Sequence, residues 1–272
     1  MAADHAGEVA RALRAPFVPR VVERLAACEG YLDVVWRQLA PSVETAGFLG
    51  SALYLADMAL DAVTEAYEPV LSRATLAERG VLAPDEAAAL LDVLDAFHWA
   101  QPQTLLIAAA LAEAFDAPQV GGEGRAEPRR TGERERRHLA TTVRLASPEQ
   151  PPLPAIAAAL QLDEAPQLYR AVAIWPGALD AAWDELQQLS AYPALRRRAR
   201  ALYYYARSSA RFLARPLAAD APALRAHGVA EGTIATARAA VEAVLPELAT
   251  MIVHCCALRS ALGVTAREVV RD

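Results

Sequence analysis

Strand-forming sequence is nearly missing from this chain. Aromatic residues make up only 6% of it, β-branched residues are sparse, and no run alternates apolar and polar residues over the length of a strand. Glycine is scarce as well, with 13 in 272 residues, which excludes a low-complexity or loop-dominated chain. Cys28, Cys255 and Cys256 have no metal-ligand spacing and cannot build a disulfide framework. HExxH, CxxC, a glycine-flanked serine and a phosphate-binding glycine loop are all lacking, so the sequence predicts no metal site. A formal charge of −6 gives no sign of a nucleic-acid surface. No charged-then-apolar leader opens the sequence. The most apolar run, Thr104–Phe115, is too short to span a bilayer and carries Glu113. The expectation is a soluble cytoplasmic protein with neither a membrane nor a nucleic-acid partner.

What is abundant is alanine and leucine, in a chain that is 54% apolar. That composition favours helices throughout and a sizeable core. The helices also come in a repeated order. "GYLDVVWRQL" at Gly30–Leu39 and "GALDAAWDEL" at Gly177–Leu186 share Gly, Leu, Asp, Trp and Leu at five matching places, 147 positions apart. At the same offset "QTLLIAAALAEAF" (Gln103–Phe115) lies over "TMIVHCCALRSAL" (Thr250–Leu262); each half also has a Gly-Val pair, Gly80-Val81 and Gly228-Val229, just before its last long helical pattern. One offset joining both ends of a unit signals duplication. The expected architecture is all-α: two tandem helical repeats, residues 10–118 and 155–264, forming an intramolecular pseudo-dimer. Helices are predicted over Glu44–Tyr67 and Asp85–Phe115, matched by Ala194–Leu213 and Thr233–Leu262.

Between the repeats, residues 119–154 are dense in Gly, Pro and alternating charge, which predicts a solvated linker. Both long helices carry an interior proline, Pro102 and Pro246. Two kinks at similar depth suggest helices bent around a shared space that a ligand could use. Tyr203-Tyr204-Tyr205, followed by Arg207 and Arg211, reads as packing plus a basic solvent edge, because adjacent helical residues point different ways.

Taken together, "LRAPFV" (Leu13–Val18), "GYLDVVWR" (Gly30–Arg37), "AFHWAQPQTLLIAAALAE" (Ala96–Glu113), "PQVGG" (Pro118–Gly122) and "AIWP" (Ala173–Pro176) resemble the group I, DehI-type 2-haloacid dehalogenases. The resemblance implies an all-helical pseudo-dimer with one active site between its repeats and no cofactor or metal. It also implies an aspartate that activates water to displace halide directly. In that family the aspartate sits seven residues before the Trp-Pro pair; here that position is Leu168. Leucine cannot take a proton, and bulk water, with a pKa of about 15.7, needs a base. Asp163 and Glu164 are the nearest carboxylates, and reaching them would disturb a well-spaced helix.

The other pocket positions that the resemblance implies are Phe17, Arg20, Gln101 and Glu247, with Ala243 where the family has a tyrosine. Glu247 and Arg20 are the candidate catalytic pair: a carboxylate to take a proton and a guanidinium to face a departing anion. Helical spacing puts Glu247 on one face with Val244, Met251 and His254. Phe17, Gln101, Thr104, Leu168, His98 and His254 are the candidate substrate-binding residues, although packing is the ordinary role of a histidine in apolar surroundings.

A displacement that no longer needs activated water fits the lost aspartate. The chain therefore resembles, within this family, the aziridine-forming cyclases of bacterial secondary metabolism, in which a substrate amine expels sulfate from a neighbouring carbon. That resemblance implies an acidic amino-group carrier protein and a sulfotransferase as partners. The alternatives are a hydrolytic 2-haloacid dehalogenase with a relocated base, and a non-catalytic member that binds a ligand or partner.

Overall fold

The computed structural model describes residues 4–130 and 132–264, and among them helices form the whole architecture. In chain order these are α1 (His5–Leu13), α2 (Arg20–Ala26), α3 (Tyr31–Val43), α4 (Ala46–Ala66), α5 (Arg73–Glu78), α6 (Pro84–Asp116), α7 (Glu133–Ala140), α8 (Leu153–Ala159), α9 (Gln167–Val172), α10 (Pro176–Ala191), α11 (Pro193–Ser209), α12 (Ala221–Ala226) and α13 (Glu231–Ala261). Extended pairing is limited to two isolated bridges, Thr45 with Pro128 and Val120 with Leu217.

The long helices begin where local chemistry dictates. The Thr45 side chain accepts from the Phe48 N–H at 3.2 Å to open α4. Pro84 occupies the first turn of α6, and the Glu86 carboxylate reaches back to the Ala83 N–H at 2.8 Å. α4, α6 and α13 match their predicted limits within about two residues. α11 is shorter than predicted, ending at Ser209 in a 3₁₀ turn, Ala210–Phe212.

The two Gly-Val pairs do the same job. Gly80 and Gly228 both take positive φ, 64° and 84°, at the ends of α5 and α12. In each pair the Gly N–H bonds three residues back and the Val N–H five residues back, to Ala77 and Leu76 or to Arg225 and Leu224. This left-handed turn is open to glycine without cost. The other matched glycines diverge. Gly30 caps α3 with φ 73°, whereas Gly177 lies inside α10, because Pro176 starts that helix one residue earlier. A Cβ on Gly177 would sit 3.3 Å from Val81, so the glycine there permits close approach to the first half.

α6 and α13 pack on each other more extensively than any other pair and form the centre of the molecule. From Ala96 to Ala112 every residue of α6 is buried, as expected for a helix that is apolar all round. α4 and α11 cover this central pair. By length and composition α4 and α13 could cross a membrane, but both are packed into this body, α13 mostly buried.

The segment read as a solvated linker is only partly so. Arg129 is buried, ion-paired to Glu135 at 2.9 Å, bonded to Gln103 Oε1 at 3.1 Å and set 5.7 Å from the Trp99 ring centroid. Backbone bonds from Arg129 N–H to Glu44 and from Ala46 N–H to Glu127 tie the segment down between α3 and α4. Dense charge misses this pair because Arg129 and Glu135 neutralise each other inside the fold, while charged neighbours such as Arg125, Glu127 and Arg130 stay exposed.

Candidate active site

The "PFVP" turn ahead of α2 carries Phe17 into the interior, where its ring stacks on Phe97 of α6 with centroids 4.4 Å apart. Gln167, the first residue of α9, fixes the start of α2. Its Oε1 accepts from the Arg20 N–H at 2.9 Å, and its Nε2 donates to the Val18 carbonyl at 3.0 Å. These bonds satisfy backbone groups that a helix start would leave without partners.

Around this junction lies a two-chambered cavity. The inner chamber, about 30 Å³, is walled by Phe17, Gln101 and Thr104 on one side and Val244, Glu247 and Met251 on the other. The outer chamber, about 410 Å³, opens beyond it past Arg24, Asp163, Ala243 and Thr250. Arg20, Glu247 and Met251 line both.

Glu247 is half-buried and makes no hydrogen bond or ion pair among the described residues. Burial pushes its carboxyl above the usual carboxylate range. Arg20 and Arg24 pull it back, and Glu164 adds to the rise. Gln101 is buried, and its Oε1 has no donor within the protein. Two side chains whose acceptors lack protein donors therefore line one cavity.

Arg20 is partly committed. It pairs with Glu164 Oε2 at 3.1 Å and donates to the Glu164 carbonyl at 3.3 Å. Glu164 is itself shared with Arg170 at 2.5 Å, which removes it as a stand-in base. Two of five guanidinium N–H groups are used in this way, so Arg20 keeps donors for a ligand.

The structure thus gathers Phe17, Arg20, Gln101, Thr104 and Glu247 at one cavity and leaves three predicted residues elsewhere. Leu168 is fully buried and absent from the lining; one residue along α9 turns it away from the place that Gln167 occupies. His254 shares a 2.6 Å hydrogen bond with Tyr169, and burial pushes its pKa down to about 4. His98 lies 3.6 Å from the buried Cys256 thiol. Both histidines are core residues, His98 against Cys256 of the other half of the chain and His254 against Tyr169 of its own half.

Sequence reading missed Gln167, Arg24 and Pro246 as lining residues. Arg24 stands one helical turn after Arg20, and Gln167 lies at the duplication offset from Arg20. Either spacing could have found them.

A family model described as halocarboxylic acid dehydrogenase DehI matches residues 16–157. Among solved structures, the complex of a D-2-haloacid dehalogenase with L-LA is similar at a TM-score of 0.85 and 19% identity, covering 96% of this chain and 93% of that one. A mutant D-2-haloacid dehalogenase in complex with D-2-CPA gives 0.84 and 18%, covering 96% and 92%. No curated protein matches the sequence.

Proposed function

This chain belongs to the DehI family, and from that premise we propose that it closes an aziridine ring by intramolecular displacement, using an amine of the substrate instead of water. The observation that carries the reading is the pair of side chains Glu247 and Gln101, which line one cavity and whose acceptors have no protein donor. An ammonium group supplies the N–H donors that both require, and an unmet buried acceptor otherwise costs about 1–3 kcal/mol.

Glu247, with its raised pKa, takes the ammonium proton and frees the nitrogen lone pair. The nitrogen then forms a bond to the neighbouring carbon while the C–O bond to the leaving group breaks. Sulfate departs with the electron pair toward the remaining N–H donors of Arg20. Holding the amine in line with that bond can lower the barrier by about 7–11 kcal/mol. No electron is gained or lost overall, so the step needs no redox partner. Along this turn of α9 neither Gln167, which lines the cavity, nor the buried Leu168 is a carboxylate, which supports a reaction in which water need not be activated.

The same reading places the protein in the cytoplasm, with its substrate brought by an acidic amino-group carrier and sulfated by a partner sulfotransferase. The test is direct. Purified protein and a substrate carrying an amine and a sulfate ester on neighbouring carbons should release sulfate in step with ring formation. Sulfate release without a ring, or none at all, would refute it.

One observation favours a second reading. The inner chamber is of the size that one water needs, and it lies against Glu247 and Gln101. A hydrolytic 2-haloacid dehalogenase with Glu247 as its relocated base would use that water, and halide release from a 2-haloacid identifies it.

A further inference from the structure

The cavity that holds Glu247 does not stop beside α2. Pro246 and Thr250 line its outer chamber and also line an open groove of about 510 Å³ between α11 and α13. The far wall of the groove is Arg196, Arg200, Tyr203 and Tyr204. The three spaces thus form a chain, joined first at Arg20, Glu247 and Met251 and then at Pro246 and Thr250.

The ridge between the last two is low because its side chains are short. Ala243 stands on the outer-chamber side and Ala249 on the groove side, with proline and threonine between them. Thr250 turns its hydroxyl onto the Pro246 carbonyl at 2.9 Å.

The groove also carries charge that the protein does not neutralise. Arg196 and Arg200 are exposed and have no ion-pair partner among the described residues, whereas Arg198 pairs with Glu65 at 2.6 Å and Arg207 with Glu113. Glu242, the carboxylate in the groove lining, is held by Arg238 at 2.8 Å. In a chain of net charge −6, two free guanidinium groups beside tyrosine faces make a local site for an anion on an apolar stem.

We propose that this groove is the outer half of the substrate site, and that the substrate is an elongated molecule with an amine at Glu247 and a carboxylate held by Arg196 and Arg200. The amine end rests on the reading of Glu247 given above; the carboxylate end does not. Tyr203 and Tyr204 then serve the ligand's stem as well as the packing of α11.

Calorimetric titration with β-alanine, its six-carbon homologue and its twelve-carbon homologue, all ω-amino acids, separates the two ends. Affinity should rise by about tenfold from β-alanine to the longest chain able to reach both sites, equivalent to about 1.4 kcal/mol. The double variant Arg196→Ala/Arg200→Ala should abolish that gain and leave β-alanine unchanged. Both positions are exposed, so the variant should fold. Glu247→Gln should weaken every chain length alike. Absence of binding, equal affinity at all lengths, or a gain that survives the double variant would overturn the proposal, the last meaning that methylene burial alone produces it. A gain lost in the double variant but indifferent to Glu247→Gln would keep the outer subsite and reject the amine at Glu247.

Discussion

Gln167 grips the backbone on both sides of Pro19, accepting from the Arg20 N–H and donating to the Val18 carbonyl, and it lies 147 residues from Arg20. That separation is the duplication offset, so two equivalent helix starts, those of α2 and α9, meet each other. Equivalent elements touch where a pseudo-twofold axis passes. We therefore expect residues 10–118 to superpose on 155–264 with Gly30–Leu39 on Gly177–Leu186. An experimental structure in which no twofold rotation relates these segments would refute the arrangement. Gln167→Ala should cost about 1–3 kcal/mol of stability in denaturant titrations, since it strips partners from two backbone groups.

The Arg129–Glu135 pair offers a sharper stability test. Both side chains are almost wholly enclosed, at 0% and 4% exposure. Arg129→Met leaves a carboxylate in the interior and should cost about 3–5 kcal/mol. Adding Glu135→Leu should recover most of the loss, because the isolated charge is what destabilises. A double variant no more stable than the single one would show that Gln103 and Trp99 need the guanidinium itself.

Helices were legible in this sequence because their apolar periodicity and caps are local, and the two Gly-Val pairs because both close a left-handed turn. Phe17, Arg20, Gln101, Thr104 and Glu247 were legible only through family resemblance; no spacing marks them, since they come from α2, α6 and α13 and the turn before α2. Leu168 was misplaced because one residue on a helix rotates a side chain by about 100°. His98 and His254 lie in the core, the packed role that apolar surroundings suggest, with partners, Cys256 and Tyr169, that no local spacing marks. The burial of Arg129 and the groove beside Arg200 depend on contacts between segments distant in sequence, which no local pattern reports.

His254 sets an acid limit. Burial lowers its pKa to about 4, against the 6.5 of an ordinary histidine, so between these values the folded protein holds it neutral while the unfolded chain takes up a proton. Its contribution to stability is therefore present above pH 6.5 and lost as pH falls toward 4, to a total on the order of 3 kcal/mol. Melting temperatures of the protein and of His254→Asn, taken across that range, should converge as pH falls. Parallel curves would mean that His254 is not the titrating group.

With Gln167 lining the cavity and Leu168 buried beside it, α9 offers no carboxylate to activate water, and Glu164 just before it is bound to Arg20 and Arg170. Hydrolysis of 2-chloropropionate should be undetectable by halide assay. Robust halide release would replace ring closure with the hydrolytic reading and make Glu247 its base.

Glu247 ties rate to pH and to stability in opposite directions. As a base it must be ionised, so the rate of ring closure should fall with decreasing pH along a limb that lies above the ordinary glutamate value. Glu247→Gln should abolish that limb and slow turnover by at least about tenfold, since losing one charge-assisted contact costs about 1.5–3 kcal/mol. The stability sign is reversed. A carboxyl whose pKa is raised by folding stabilises below its unfolded value, and that contribution is lost as pH rises through the folded value. Above its folded pKa the ionised Glu247 is thus a burden on the fold, and there Glu247→Gln should melt no lower than the parent protein. Arg20→Ala should slow a sulfate leaving group more than a better one, while Glu164 keeps Arg170 as a partner and limits the structural cost. A Glu247→Gln protein with full activity and an unchanged pH profile would remove Glu247 from the chemistry, whatever its melting temperature.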